Sequence, residues 1–165
     1  MDHLADVWHF DRWKRDGEAL ATTGVIGTAK VRLLKPQTYM NLSGTVLRPY
    51  VRRPFWSASK DLLVVVDDAA IPLGTMRVRA HGSAGGHNGL KSIEAAVGSQ
   101  EYARLRVGVK PTDEQHRIDE LADFVLSSFG RDEREVVQSL LPRVGAAVEM
   151  WVRDGAEATM NEYNA

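Results

Sequence analysis

Cysteine is absent from this chain. That excludes disulfide staples, thiolate catalysis and cysteine-ligated zinc, and it fits a reducing compartment. Long apolar runs are absent too, since no stretch approaches the roughly 20 residues a membrane span needs. The opening residues Met1-Asp2-His3-Leu4-Ala5-Asp6 have neither a basic region nor an apolar core. No secretory leader is read there, and a cytoplasmic protein is expected. No two histidines stand at helical i,i+4 spacing, so no metal site is expected. The chain has no Walker-type Gly-Lys-Ser/Thr run, no dinucleotide-binding glycine spacing and no Gly-x-Ser-x-Gly elbow. No internal repeat or low-complexity tract is present.

What remains is an ordinary globular composition of 165 residues, enough for one domain, read here as spanning 1–165, with a core of its own. The net charge of -1 conceals an asymmetry. Residues 1–75 balance to +2, residues 76–110 to +4 and residues 111–165 to -7. A basic middle beside an acidic tail suits a protein that meets a polyanion on one face.

Periodicity predicts a helix ending near Trp8, with Leu4, Ala5 and Trp8 on one face. Strands are expected over Leu20–Ile26 and Lys30–Leu34, around the turn Gly27-Thr28. A loop follows over Pro36–Gly44, then a helix over Gly44–Arg52. Leu62-Leu63-Val64-Val65-Val66 reads as a strand covered on both faces and ending at Asp67-Asp68. Met76-Arg77-Val78-Arg79 alternates apolar and basic residues, so one face should be core and the other wet and cationic; Leu105–Val109 alternates similarly. Helices are expected over Glu120–Phe129 and Asp132–Trp151, the second kinked or split at Pro142. Strands interleaved with helices argue for a three-layer α/β domain around a mixed sheet, with ligands gathering at the carboxyl ends of strands.

The run Gly82-Ser83-Ala84-Gly85-Gly86-His87-Asn88-Gly89-Leu90-Lys91 carries the most chemistry. Its glycines allow positive φ and close approach of backbone to a ligand. The helix it opens should offer unpaired N–H groups to an anion or a carbonyl oxygen. His87 and Asn88 add a titratable nitrogen and an amide that both donates and accepts. Asn41 and Asp67 also sit at expected loop mouths. Each has a plain alternative, as a helix cap for Asn41, a turn residue for Asp67 and a structural ring for His87.

Taken together, Leu34-Lys35-Pro36-Gln37-Thr38-Tyr39-Met40-Asn41-Leu42-Ser43-Gly44, Val65-Val66-Asp67-Asp68 with Ile71-Pro72-Leu73-Gly74, the glycine run continuing to Ile93, and Arg104-Leu105-Arg106-Val107-Gly108-Val109 resemble the bacterial-type peptidyl-tRNA hydrolase family. Weaker agreement runs through Ala122–Leu126. The resemblance covers nearly the whole chain. It implies an α/β/α sandwich around a twisted mixed sheet, and hydrolysis of the ester between a peptide and the 3′ end of tRNA without metal or organic cofactor. Tyr39 and Asn41 would line the substrate site and Met40 its wall. Asn88 would hydrogen-bond the substrate or the attacking water, and His87 would orient the 3′ end. Asp67 would hold the catalytic histidine in its basic tautomer. Arg79 and Arg106 would clamp a tRNA phosphate, with Lys91 adding to the basic surface. The resemblance implies peptidyl-tRNA as the partner, no membrane, and a monomer.

The same family opens with a strand, a Gly-Asn-Pro-Gly loop and a Thr-Arg-His-Asn segment that carries the catalytic histidine. No counterpart is read in this chain, and neither His3 nor His9 fits that role. The first central strand is therefore expected to be missing, and turnover to be weak or absent. Two accounts compete: a start that lies upstream of Met1, or a non-catalytic RNA-binding relative. A third reading, an unrelated hydrolase, would use Asp67 and His87 directly.

Overall fold

A computed structural model describes residues 1–111 and 128–164. They fold into two compact units, Met1–Leu62 with Ala80–Ala103, and Leu63–Arg79 with the described residues from Arg104 onward. The fold is α/β. The described strands form two three-stranded sheets, ordered β1-β2-β3 and β4-β6-β5, where a single mixed sheet was expected.

The first unit begins with α1 (Asp2–Val7), which buries Leu4 and Ala5. The strands β1 (Lys14–Asp16), β2 (Ala19–Ile26) and β3 (Ala29–Pro36) follow as an antiparallel meander. Each turn is two residues long and starts on a left-handed glycine, Gly17 at φ +58° and Gly27 at φ +60°. Such turns match the twist of the strands they join. Strand β1 was not expected, because Lys14, Arg15 and Asp16 are all charged and exposed and show no alternation. Met40–Leu47 forms a 3-10 helix that runs into α2 (Arg48–Val51), so helical structure begins four residues before the expected Gly44. The short α3 (Ala58–Asp61) ends the first segment. Then α4 (Asn88–Val97) stops at Gly98, a left-handed C-cap at φ +71° whose N–H donates to Glu94 O.

The second unit holds β4 (Leu63–Pro72), β5 (Met76–Arg79) and β6 (Ala103–Lys110). Strands β5 and β6 are antiparallel, with Arg77 across from Arg106 and Arg79 across from Arg104. Strand β4 corrects two expectations. It passes through Asp67-Asp68 to Pro72, so Asp67 lies mid-strand, and residues Leu63–Asp68 are half-buried rather than fully covered. On β5 the alternation holds, with Met76 and Val78 in the core. Over Leu105–Val109 on β6 it does not, because Leu105 and Gly108 are buried while Arg106, Val107 and Val109 are all half-buried.

Helix α5 (Arg131–Tyr163) packs on β5. Glu133 reaches back to accept from the Gly130 N–H at 2.8 Å, closing its first turn. Leu140, Val144, Ala147 and Val148 form its buried stripe. The helical backbone breaks at Gly155 (φ 84°, ψ -179°) and not at Pro142. Pro142 and Gln138 are both exposed, so water can satisfy the Gln138 carbonyl that the proline leaves unpaired. Past the break, Asn164 clamps β5. Its Oδ1 accepts from Val78 N–H and its Nδ2 donates to Val78 O, both at 2.9 Å. Most of the helix expected over Glu120–Phe129, and the family-like stretch Ala122–Leu126, lie outside the described residues. Among the described residues no helix is long and apolar enough to cross a membrane.

Candidate functional site

In the first unit the two longest motifs meet. The 3-10 helix carries Met40 and Asn41, with Tyr39 just before it, and packs on α4, whose first residue is Asn88. Glycine makes this approach possible. A Cβ on Gly44 would lie 2.1 Å from the carbonyl oxygen of Ser92, and one on Gly89 would lie 2.7 Å from Met40 Sδ. The Gly44 N–H donates to Ser92 Oγ at 2.9 Å. Ser92 and Gly44 thus act as positioning residues. The signal for Gly44 was present in the sequence as a helical segment that starts around a glycine.

The side chains displayed there are polar and apolar together. Tyr39 is 83% exposed and Met40 53%. Leu42, Asn41 and Asn88 are exposed as well. Large apolar groups held in water on a rigid platform mark a contact surface. Ser43 is buried beneath them, donating to Met40 O at 2.8 Å.

His87 is the N-cap of α4. Its Nδ1 accepts from Gly89 N–H at 3.1 Å and Leu90 N–H at 3.3 Å. Two of the backbone donors expected to wait for an anion at this helix start are therefore taken by the protein's own imidazole. A neutral imidazole has one ring lone pair. Here it lies on Nδ1 and is spent on the cap, and the ring proton sits on Nε2. Acting as a base would require His87 to uncap the helix.

The second unit carries the other predicted residues. Asp67 stands half-buried on β4. Its neighbour Asp68 accepts from Ala70 N–H at 2.9 Å and pairs with Arg106 at 3.3 Å. Arg106 is thus already engaged by a carboxylate, and a phosphate would have to compete for it. Its Nε is buried without a hydrogen-bond partner. Arg79 is half-buried and donates to Val78 O at 3.3 Å. Lys91 is exposed on α4 in the first unit. Among the described residues no cluster of three histidine or carboxylate side chains could hold a metal ion.

A family model described as peptidyl-tRNA hydrolase matches residues 1–165. The peptidyl-tRNA hydrolase of Gemmatimonas aurantiaca is 55% identical over 161 residues, covering 98% of this chain and 85% of that protein. That of Lachnoclostridium phytofermentans is 41% identical over 165 residues, covering 99% of this chain and 84% of that protein. The crystal structure of peptidyl-tRNA hydrolase from Acinetobacter baumannii superposes with a TM-score of 0.84 at 28% identity, covering 99% of this chain and 82% of that one. Motifs, fold and likeness along the chain agree, and the chain belongs to the peptidyl-tRNA hydrolase family.

Proposed function

We propose that this protein hydrolyses the ester bond between peptide and tRNA. The observation that carries the reading is the exposed strip Tyr39-Met40-Asn41-Leu42 held rigidly against the start of α4, which displays Asn88. An aromatic ring, two amides and apolar surface suit an unpaired nucleotide end and a peptide, since unstacked bases are held by aromatic stacking and edge hydrogen bonds. In this reading Tyr39 and Asn41 line the site, Met40 forms its wall, and Asn88 holds the carbonyl or the attacking water. Asp67 would orient the histidine that takes the proton from water, a role assigned here to none of His3, His9 and His87. His87 keeps the α4 end in place and presents Nε2–H toward the 3′ end. Arg79 and Arg106 serve a phosphate, with Asp68 setting the geometry of Arg106. The proposal extends to the three-layer arrangement, a cytoplasmic monomer, and chemistry without metal or organic cofactor.

The test is release of the amino acid from N-blocked aminoacyl-tRNA. Asn88→Ala and Asp67→Asn should each lower the rate, whereas His87→Asn, which keeps a cap, should change it by less than about tenfold. A loss of roughly 100-fold or more in His87→Asn, the size of a removed general base, would make His87 the base and refute this assignment.

A further inference from the structure

We propose that a groove on the β1-β2-β3 sheet of the first unit is a second RNA-contacting surface, which grips the phosphate backbone of the substrate's tRNA portion and shares no residue with the Tyr39–Asn41 face. The groove encloses about 320 Å³ and is lined by Arg12, Lys14, Arg15 and Arg32, with Asp11 and Asp16. Its floor includes the buried residues Ala21 and Thr22.

The cations are not equivalent. Arg32 is positioned by the protein itself, pairing with Asp16 at 2.6 Å and donating to Thr23 Oγ1 at 3.1 Å. That pair removes one positive and one negative charge from the balance. Arg12, Lys14 and Arg15 are exposed and make no ion pair among the described residues. Only the Asp11 carboxylate is set against these three, so the groove keeps a net charge of about +2. The segment is held in place, because Thr22 Oγ1 donates to Asp11 O at 2.6 Å and β1 pairs with β2.

Geometry selects the ligand class. A small anion is held by donors that converge on one point, usually buried. Here the three unpaired cations fall within four consecutive residues, Lys14 and Arg15 on β1 and Arg12 just ahead of it, a span of at most about 14 Å. A linear array matches a polymer with charge at regular intervals. Lysine and arginine on an exposed edge strand can also act simply to deter edge pairing. That task needs no concavity and no arginine fixed across from the edge, and both are present. The identity of the polymer as tRNA rests on the hydrolase reading above.

The test uses the 165-residue chain and deacylated tRNA, with affinity read by fluorescence anisotropy across a salt series. The triple variant Arg12→Gln, Lys14→Gln, Arg15→Gln should bind at least about tenfold more weakly at low salt. It should also flatten the slope of log K against log salt by about 2, since each phosphate contact contributes roughly 0.7–0.9. The triple variant Arg48→Gln, Arg52→Gln, Lys60→Gln removes the same charge from exposed positions outside the groove and should change the slope by less than half as much. Should the first triple variant unfold, Lys14→Glu alone should still weaken binding several-fold. Equal losses in both triple variants would overturn the groove in favour of bulk charge. So would unchanged tRNA binding in the first variant while polyglutamate binding is lost, which would mark an acidic-protein surface. Groove-dependent binding with no ester cleavage would sink the hydrolase reading and leave the groove standing. No tRNA binding by the unchanged chain would sink both.

Discussion

The two compact units use polar residues in opposite ways. The first displays them: Tyr39, Asn41 and Asn88 stand in solvent on a platform held by the close approach of Gly44 to the Ser92 backbone and of Gly89 to the Met40 side chain. The second takes them inward: Asp68 and Arg106 pair with side chains only 15% and 26% exposed, and Arg104 is buried. The lesson concerns what a charged motif residue means. A side chain displayed on a packed platform is available to a ligand. A charge paired in the sheet is first a structural element, and any ligand must displace or share its partner.

The glycines give the sharpest way to break this contrast. Gly44→Ala in the first unit would place a Cβ 2.1 Å from Ser92 O, and Gly108→Ala in the second would place one 2.1 Å from Pro72 O. Backbone cannot swing aside as a side chain can, so each should cost about 3 kcal/mol, the upper end for overpacking. Gly86→Ala meets nothing within 4 Å, although its φ is +88°; it should cost only the roughly 1–2 kcal/mol of a left-handed alanine. Urea midpoints at unchanged m-value measure all three. A mild Gly44→Ala would mean that the platform is looser than its geometry implies.

Next comes the paired charge. Asp68→Ala leaves Arg106 largely buried without its carboxylate and should cost about 2 kcal/mol, below the 3–5 kcal/mol of a fully buried pair because both side chains keep some water. Replacing both partners, Asp68→Leu with Arg106→Met, should recover at least half of that loss. If the double variant is instead as unstable as the single, the pair is fixing the sheet by its hydrogen bonds, including that of Asp68 to Ala70 N–H.

The His87 cap is smaller again. His87→Ala should cost about 1 kcal/mol, and His87→Asn only a few tenths, because asparagine is a good N-cap. Thermal midpoints of the two variants separate a capping role from general packing, since both remove the ring and only one removes the cap.

These cases show what the sequence could reveal. The hairpin was legible because Gly27-Thr28 sits between two strand-like runs, and α1 because Leu4 and Ala5 share a face. The motif positions were legible as a family pattern. The roles of His87 and Arg106 were not, because each depends on which neighbour takes its hydrogen bonds. A histidine before a helix reads alike whether its Nδ1 faces solvent or its own backbone. Arg104 and Arg106 alternate with apolar residues as any half-wet strand does, and only the packing decides that Arg104 is buried. Strand β1 escaped because three charged residues carry no period, and the extension of β4 past Asp67-Asp68 escaped because paired aspartates read as a terminus.

The smallest effect tests the same contrast at the surface. Asp2 in the first unit accepts from Lys35 Nζ at 2.5 Å, as Asp68 pairs with Arg106 in the second, but the Asp2 side chain is 69% exposed. The Lys35 hydrogen bond, more than any other influence, holds the Asp2 carboxyl below the ordinary carboxylate range. A carboxyl whose folded pKa is depressed stabilises the fold fully above its unfolded value, and loses that contribution as pH falls through the folded value. Asp2→Asn should therefore cost under about 0.5 kcal/mol at neutral pH, the usual worth of an exposed pair. The difference should vanish as pH falls through the lowered folded value, and shrink in high salt. Lys35 also lies 4.1 Å from the centre of the Trp13 ring, which restrains it independently of Asp2. A loss of more than 1 kcal/mol that survives acid and salt would mean that Asp2 acts by packing rather than charge, and the exposed and buried pairs would no longer differ in kind.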